Sequence, residues 1–420
     1  MLNRWAFMPA LLFATVCAAT AQESSYGISV PVTITGNALY TNGKQTDDGV
    51  TRAAAAGFRA VASPVLRLGP HWFFYSRLDL YSSSYFTGSS YSSYEESSVD
   101  FDAMEAFVGY SVKAGQSTLL LKAGQMSSAF GLAPVEYDDS KMPLLAPPSI
   151  YTSRVNLRPD QIPCSTADML GQRTGYEIEF DCGGDRPDRY GIAPVTLDGI
   201  PAFEAELSTH RIDARLQITN SSPANPRSLR SGSQFAQWTA GAGYTLRNGL
   251  HLGASGFRGP YLDKTLETVL PPGKNIRDFS ATGIGADMQW SRGAWSTEGE
   301  WQRFRFEVPG FTVSPSVDAG YGQVKRILSP RVYVAARASF ERFGRVADSA
   351  RQVAEHFQPP LETYEIGAGY RLNRRQLIKT GFFLENSNFG DEWDPNLGHL
   401  HGTVEIQLVT EVTALSHAFR

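Results

Sequence analysis

Long apolar runs and a strong charge of one sign are both scarce in this 420-residue sequence. Its mean hydropathy is −0.24 and its one long apolar run stands at the start, which excludes a polytopic helical membrane protein. A formal net charge of −4 lacks the clustered basic excess of a nucleic-acid binder. By contrast, 18 tyrosines, 24 phenylalanines and 39 glycines, with 19% charged residues, exclude wholesale disorder and favour a large β-rich chain.

Residues 1–21 are expected to be an export signal that is removed by cleavage. Arg4 is its basic residue, and residues 5–16 form an apolar run that is too short to span a bilayer comfortably. The segment ends in Ala-Thr-Ala, which is a small-x-small cleavage site. Residues 22–420 would then form a single domain.

Removal of the signal would take Cys17 with it and leave two cysteines. Cys164 and Cys182 form an even pair in an exported protein, where an oxidising compartment permits a disulfide. Their positions in the sequence do not show whether they lie close together. A bridge between them is therefore a hypothesis that the sequence leaves open.

Beyond residue 22 the dominant pattern is a two-residue alternation of apolar and polar side chains. In residues 331–340 one face is formed by Val332, Val334, Ala336, Ala338 and Phe340, and the arginines lie on the other face. Soluble sandwiches also alternate, but their strands usually have about five or six residues, whereas a tilted membrane strand needs about 9–11. Most segments here reach about ten residues, and the alternation changes phase near Gln302. The predicted strands are 26–40, 52–68, 72–86, 99–113, 117–124, 202–208, 211–220, 235–246, 250–260, 278–290, 294–307, 316–328, 331–343, 361–372, 376–388 and 402–418.

Short and long connections alternate along the chain. Gly69-Pro70 and Arg247-Asn248-Gly249 are tight turns, whereas stretches such as 41–51, 87–98 and 221–234 are long and polar. Short turns at one end, long loops at the other and an even strand number are typical of an outer-membrane barrel. Such a sheet must close, because an open edge would leave backbone groups unpaired in hydrocarbon. The sequence therefore predicts an all-β, antiparallel, up-and-down transmembrane barrel of about 16 strands.

The polar strand faces are expected to line a water-filled interior, as in barrels of this size. Their charges have both signs, which disfavours a simple anion channel. The channel-lining residues assigned from the alternation are Arg77, Asp79, Glu105, Lys122, Arg211, Asp213, Arg215, Arg331, Arg337 and Glu341.

One connection, from Gln125 to Pro201, is far longer than the others and is expected to fold inward and set the bore. Its charges would oppose those of the wall and create a transverse field. The alternative is that many of them are solvated residues in ordinary salt bridges. The residues assigned to this constriction loop are Glu136, Asp138, Asp139, Lys141, Arg154 and Arg158.

The stretch LLLKAGQMSSAFG, residues 119–131, carries a resemblance to a known family. A strand followed by Lys122, Gly124 and Phe130-Gly131 resembles the opening of the long third loop in Gram-negative outer-membrane porins, most like the phosphate-selective porin O/P group. The resemblance implies a sixteen-stranded channel, commonly trimeric, with a loop-narrowed pore. Phosphate selectivity is not expected with it, because the luminal charges form no lysine ladder.

Together these features predict a porin for passive diffusion of small hydrophilic solutes and ions, with no cofactor, metal or catalytic residue. Its expected partners are outer-membrane lipid, lipopolysaccharide and further copies of itself as a homotrimer. Two alternatives stay open. One is an outer-membrane barrel hydrolase, for which Ser255 and His251 share a strand without a recognisable motif. The other is an exported soluble β-rich binding protein.

Overall fold

The structure is a computed structural model that describes residues 26–46, 49–82, 99–132, 138–171, 191–195, 199–222, 225–226, 236–348, 353–387 and 400–419. The predicted export signal, Glu136 and Cys182 lie outside these residues. Over the described ranges, no helix combines the length and the apolar character needed to cross a membrane.

A sixteen-stranded antiparallel sheet closes on itself into a barrel, as the sequence predicted. Each strand pairs with its neighbours in the chain, and the last strand pairs with the first from Tyr26–Phe419 to Thr41–Thr403, which leaves the sheet without an edge. The strands are β1 (Tyr26–Thr46), β2 (Gly49–Ala62, continued by Val65–Leu68), β3 (Trp72–Ser82), β4 (Val99–Ala114), β5 (Ser117–Met126), β6 (Ile200–Ser208), β7 (Ile212–Ser222), β8 (Ala236–Thr245), β9 (His251–Pro260), β10 (Ser280–Arg292), β11 (Trp295–Phe306), β12 (Ser316–Ser329), β13 (Val332–Phe343), β14 (Leu361–Arg371), β15 (Gln376–Ser387) and β16 (Leu400–Phe419).

The two faces of the sheet differ sharply, because successive side chains of a strand point to opposite sides. Ile366 on β14 and Ile406 on β16 point outward and are 59% and 52% exposed. Glu365, the residue before Ile366, and Gln407, the residue after Ile406, point inward and are buried. The wall is therefore apolar outside and polar inside.

The connections at one end of the barrel are short, as predicted. Tight turns at Gly69, Gly115, Gly249 and Gly293 have glycine at positive φ, a conformation that other residues adopt at a cost. The prediction of a long polar connection at 41–51 was wrong. β1 and β2 stay paired through Thr46 and Gly49, because continued pairing satisfies the backbone groups that a loop would leave to water.

An apolar core lies inside the barrel. It joins residues of the long segment between β5 and β6, such as Phe130 and Leu157, to inward residues of β9–β13, such as Phe257 and Phe304. The described part of that segment contains a short α-helix, α1 (Thr166–Gly171), and a 3-10 helix at Ser149–Tyr151. The apolar residues of the long segment thus pack against the β9–β13 part of the wall.

Candidate functional site

The long segment enters the barrel directly after β5 ends at Met126. The inward Gln217 of β7 donates from Nε2 to the Ser127 carbonyl over 2.9 Å, and its Oε1 accepts from the Ala129 amide over 3.0 Å. Glu105 of β4 accepts from the Ser127 amide and hydroxyl. These hydrogen bonds join the start of the segment to wall residues that point inward.

Phe130 fixes the first part of this path. Its ring centroid lies 5.0 Å from that of Phe257 on β9 and 5.7 Å from that of Phe304 on β11, and it has no exposed surface. The ring fits against Gly285 of β10, where an added Cβ would lie 3.2 Å from Phe130 Cζ. A glycine in the wall therefore makes room for an aromatic side chain of the segment.

Tyr151 forms the centre of a buried polar cluster on β11. Its hydroxyl donates to Glu300 and accepts from Gln302 Nε2 over 2.9 Å and from the Leu132 amide over 3.1 Å. Glu300 was missing from the predicted lining set, because the phase change near Gln302 obscured its face. The register of β11 with both neighbours shows no shift, so Glu300 and Gln302 both point inward.

Asp139 anchors the segment on the opposite part of the wall. Thr35 of β1 donates to its Oδ2 over 2.8 Å, and Arg59 Nη1 of β2 lies 3.6 Å from its Oδ1. Lys379 of β15 donates to the Asp139 carbonyl over 3.0 Å. Arg59 also donates from Nε to Asp79 of β3 over 2.8 Å. Arg59 was also missed by the sequence prediction, and its side chain is 3% exposed.

Leu144, Leu145 and Ala146 continue the docking across β13–β16. Arg337 of β13 donates to the Ala146 carbonyl and to Glu365 of β14, and Glu365 accepts from the Leu145 amide over 2.7 Å. Inward glycines again receive these side chains. An added Cβ at Gly367 would lie 3.1 Å from Leu144 Cδ2, and one at Gly381 would lie 2.8 Å from Leu145 Cδ1.

The segment then turns along β13. The Ser153 hydroxyl donates to Glu341, and Gln358 exchanges hydrogen bonds with the Asn156 amide and the Arg154 carbonyl. Between Ser127 and Asn156 the segment thus contacts inward residues of β1, β2, β4, β7, β9–β11 and β13–β16.

Most predicted lining residues point into the interior. Six of them are largely buried or hydrogen-bonded there, namely Arg77, Asp79, Glu105, Lys122, Arg337 and Glu341. Arg215 and Asp213 point inward from β7, and Arg215 donates to the Gly131 carbonyl. Arg211 and Arg331 lie in short turns outside the strands.

The predicted constriction residues behave differently from one another. Asp138 and Lys141 form an exposed ion pair at 3.7 Å, next to the buried Asp139. Arg158 is buried and lies 3.5 Å from Asp160, whereas Arg154 is exposed. Cys164 is disulfide-bonded.

The residues named for the hydrolase alternative lie apart in their contacts. Ser255 accepts a hydrogen bond from the Gly131 amide, whereas His251 contacts the Thr245 hydroxyl, so the two are not joined as nucleophile and base. Among the described residues, no group of three or more His, Cys, Asp or Glu side chains could hold a metal ion.

Neither a protein-family model nor a curated protein matches the chain. Solved structures with a similar fold include an anion-selective porin from Comamonas acidovorans, with a TM-score of 0.53 at 8% identity over 92% of this chain and 100% of that one. The outer-membrane channel DcaP of Acinetobacter baumannii has a TM-score of 0.54 at 9% identity, over 94% and 100%. Pseudomonas putida OprB has a TM-score of 0.53 at 10% identity, over 94% and 100%. At such low identity these likenesses concern the fold.

Proposed function

We propose that this chain is an outer-membrane porin, a water-filled channel through which small hydrophilic solutes and ions pass by diffusion. The observation that carries the proposal is the division of the wall into an apolar outside and a polar inside. Exposed Ile366 and Ile406 suit lipid, and the buried Glu365 and Gln407 suit a hydrated interior. The names of the fold neighbours agree with this function.

The long segment is proposed to set the bore. Its contacts reach from β7 to β1 around the wall, and three inward glycines receive its side chains. A segment held at so many points narrows the interior without leaving it, since each contact would have to break for it to move away. The size limit for solutes then follows from the space that Ser127 to Asn156 leave against the wall.

The cellular setting belongs to the same proposal. Residues 1–21 would direct export and be cleaved, and the barrel would insert into the outer membrane, with lipid and lipopolysaccharide around it. The chain would assemble as a homotrimer, and its function would require no enzyme activity or cofactor. The resemblance to the phosphate-selective group is not extended to phosphate selectivity.

Planar-bilayer recording of the purified, refolded protein tests the channel function. Stable conductance steps, in groups of three for a trimer, are expected, and solute exclusion in a liposome-swelling assay with sugars of increasing size measures the bore. Heat-modifiable migration on gels shows that the barrel is folded. A folded protein that conducts no current would contradict the proposal and favour a barrel enzyme, whereas recovery in a soluble fraction would favour the exported binding protein.

A further inference from the structure

One inward row of the wall carries carboxylates separated by glycines. Asp213 on β7 pairs with Gly243 on β8, Gly243 with Gly253 on β9, and Gly253 with Asp287 on β10. An added Cβ at Gly253 would lie 2.4 Å from Asp287 Oδ2, and one at Gly243 would lie 2.7 Å from Asp213 Oδ1. Both carboxylates therefore lean over a shallow recess that the two glycines create.

The His251 ring lies in this recess between the two carboxylates. Its Nδ1 is 3.7 Å from Asp213 Oδ1 and its Nε2 is 4.0 Å from Asp287 Oδ1. The Thr245 hydroxyl lies 3.1 Å from Nδ1. One imidazole carries at most one positive charge, so the His251 ring alone cannot neutralise two ionised carboxylates.

Asp287 supplies a second observation that points to an incoming cation. Its side chain is 6% exposed, yet its Oδ1 accepts no hydrogen bond within the described part of the chain. A buried carboxylate oxygen without a donor favours positive charge nearby. Asp213, by contrast, has a side chain that is 51% exposed to the interior and can meet a passing solute directly.

Five other inward cations contact protein groups. Lys122 lies between Glu204 and Glu206, and Arg337 binds Glu365. Arg59 binds Asp79 and Asp139, and Lys379 donates to the carbonyls of Asp139 and Leu144. Arg215, two residues from Asp213, donates to the Gly131 carbonyl. Arg215 keeps its positive charge in this contact, but it is less exposed to the interior than Asp213, so the most exposed charge of the recess is acidic.

We infer that Asp213 and Asp287 make the channel prefer cations, and that its favoured solutes carry a protonated amine or a guanidinium group. The inference rests on the proposed channel function. In a pore the field near the path decides which ions enter. A unit charge about 7 Å away in a water-like medium changes the local concentration of an ion by about threefold.

Reversal potentials in a potassium chloride gradient test this inference. The unmodified channel should be cation-selective. Asp213→Asn should lower its cation-to-anion permeability ratio by about sevenfold, because the lost charge acts on cations and on anions in opposite directions. Asp287→Asn should act in the same direction. The matched control is Glu362→Gln, because Glu362 pairs with Arg342 on the outer face, and it should leave the ratio unchanged. Spermidine should reduce the potassium current less in Asp213→Asn than in the unmodified channel.

A second variant separates charge from folding. Asp213→Cys, refolded first and then modified inside the bilayer, should gain anion preference with a positively charged thiosulfonate and regain cation preference with a negatively charged one. Anion preference of the unmodified channel, or a reversal potential that neither reagent moves, would overturn the inference while leaving the channel function intact. Absence of any conductance would overturn the channel function and the inference with it.

Discussion

Asp139→Ala is expected to loosen the long segment inside the barrel. The carboxylate accepts from Thr35 over 2.8 Å, lies 3.6 Å from Arg59 Nη1, and is 1% exposed as a side chain. Its removal leaves a buried hydroxyl and part of a buried guanidinium without this partner. Losing such a contact costs about 3 kcal/mol, which is about a hundredfold in the equilibrium between docked and undocked segment.

Single-channel recording measures this change. The variant should show more excursions to a larger conductance and greater current noise, because the stretch around residue 139 detaches locally about a hundredfold more often while the other contacts stay in place. Lys141→Ala is the matched control, since the Lys141 side chain is 51% exposed and lies 3.7 Å from Asp138. Exposed pairs contribute about 0–1 kcal/mol, so its traces should resemble the unmodified channel. Identical traces for both variants would refute the proposed anchoring by Asp139.

Three further changes probe the docking and the outer wall. Tyr151→Phe removes the hydroxyl that donates to Glu300 and should lower the stability of the barrel by about 1–3 kcal/mol. The thermal midpoint of unfolding in detergent should fall accordingly, and an unchanged midpoint would contradict the buried cluster. Gly381→Ala places a Cβ 2.8 Å from Leu145 Cδ1 of the segment and should alter the conductance. Gly322→Ala is the control, because an added Cβ there meets no atom within 4 Å. Equal conductances for the two variants would count against the glycine recess. Ile366→Lys puts a charge on the outer face at a cost of about 2–4 kcal/mol and should lower the yield of heat-modifiable barrel; normal insertion would argue against a lipid-facing position.

The strands and their faces follow from local sequence. A period of two is visible over ten residues without knowledge of any partner, so all sixteen strands and the apolar outer face were predictable. The unusual length of the connection after Gln125 was visible in the same way. The extension of β1 and β2 to Thr46 and Gly49 was not, because polar residues in a hairpin beyond the apolar band resemble a loop.

The contacts of the interior could not be predicted in this way. Asp139 and Thr35 are 104 residues apart, and Tyr151 and Glu300 are 149 apart, and they meet only because the closed barrel brings distant strands to one space. The sequence also does not show that a glycine such as Gly381 makes room for a side chain of the long segment, because the segment is distant in the chain. The sequence by itself determined most of the side chains that point inward, because alternation is a property of each strand; Glu300 and Arg59 were missed. Only the tertiary structure decided which of those inward charges are paired and which remain exposed to the interior, because that depends on the path of a segment that no local pattern encodes.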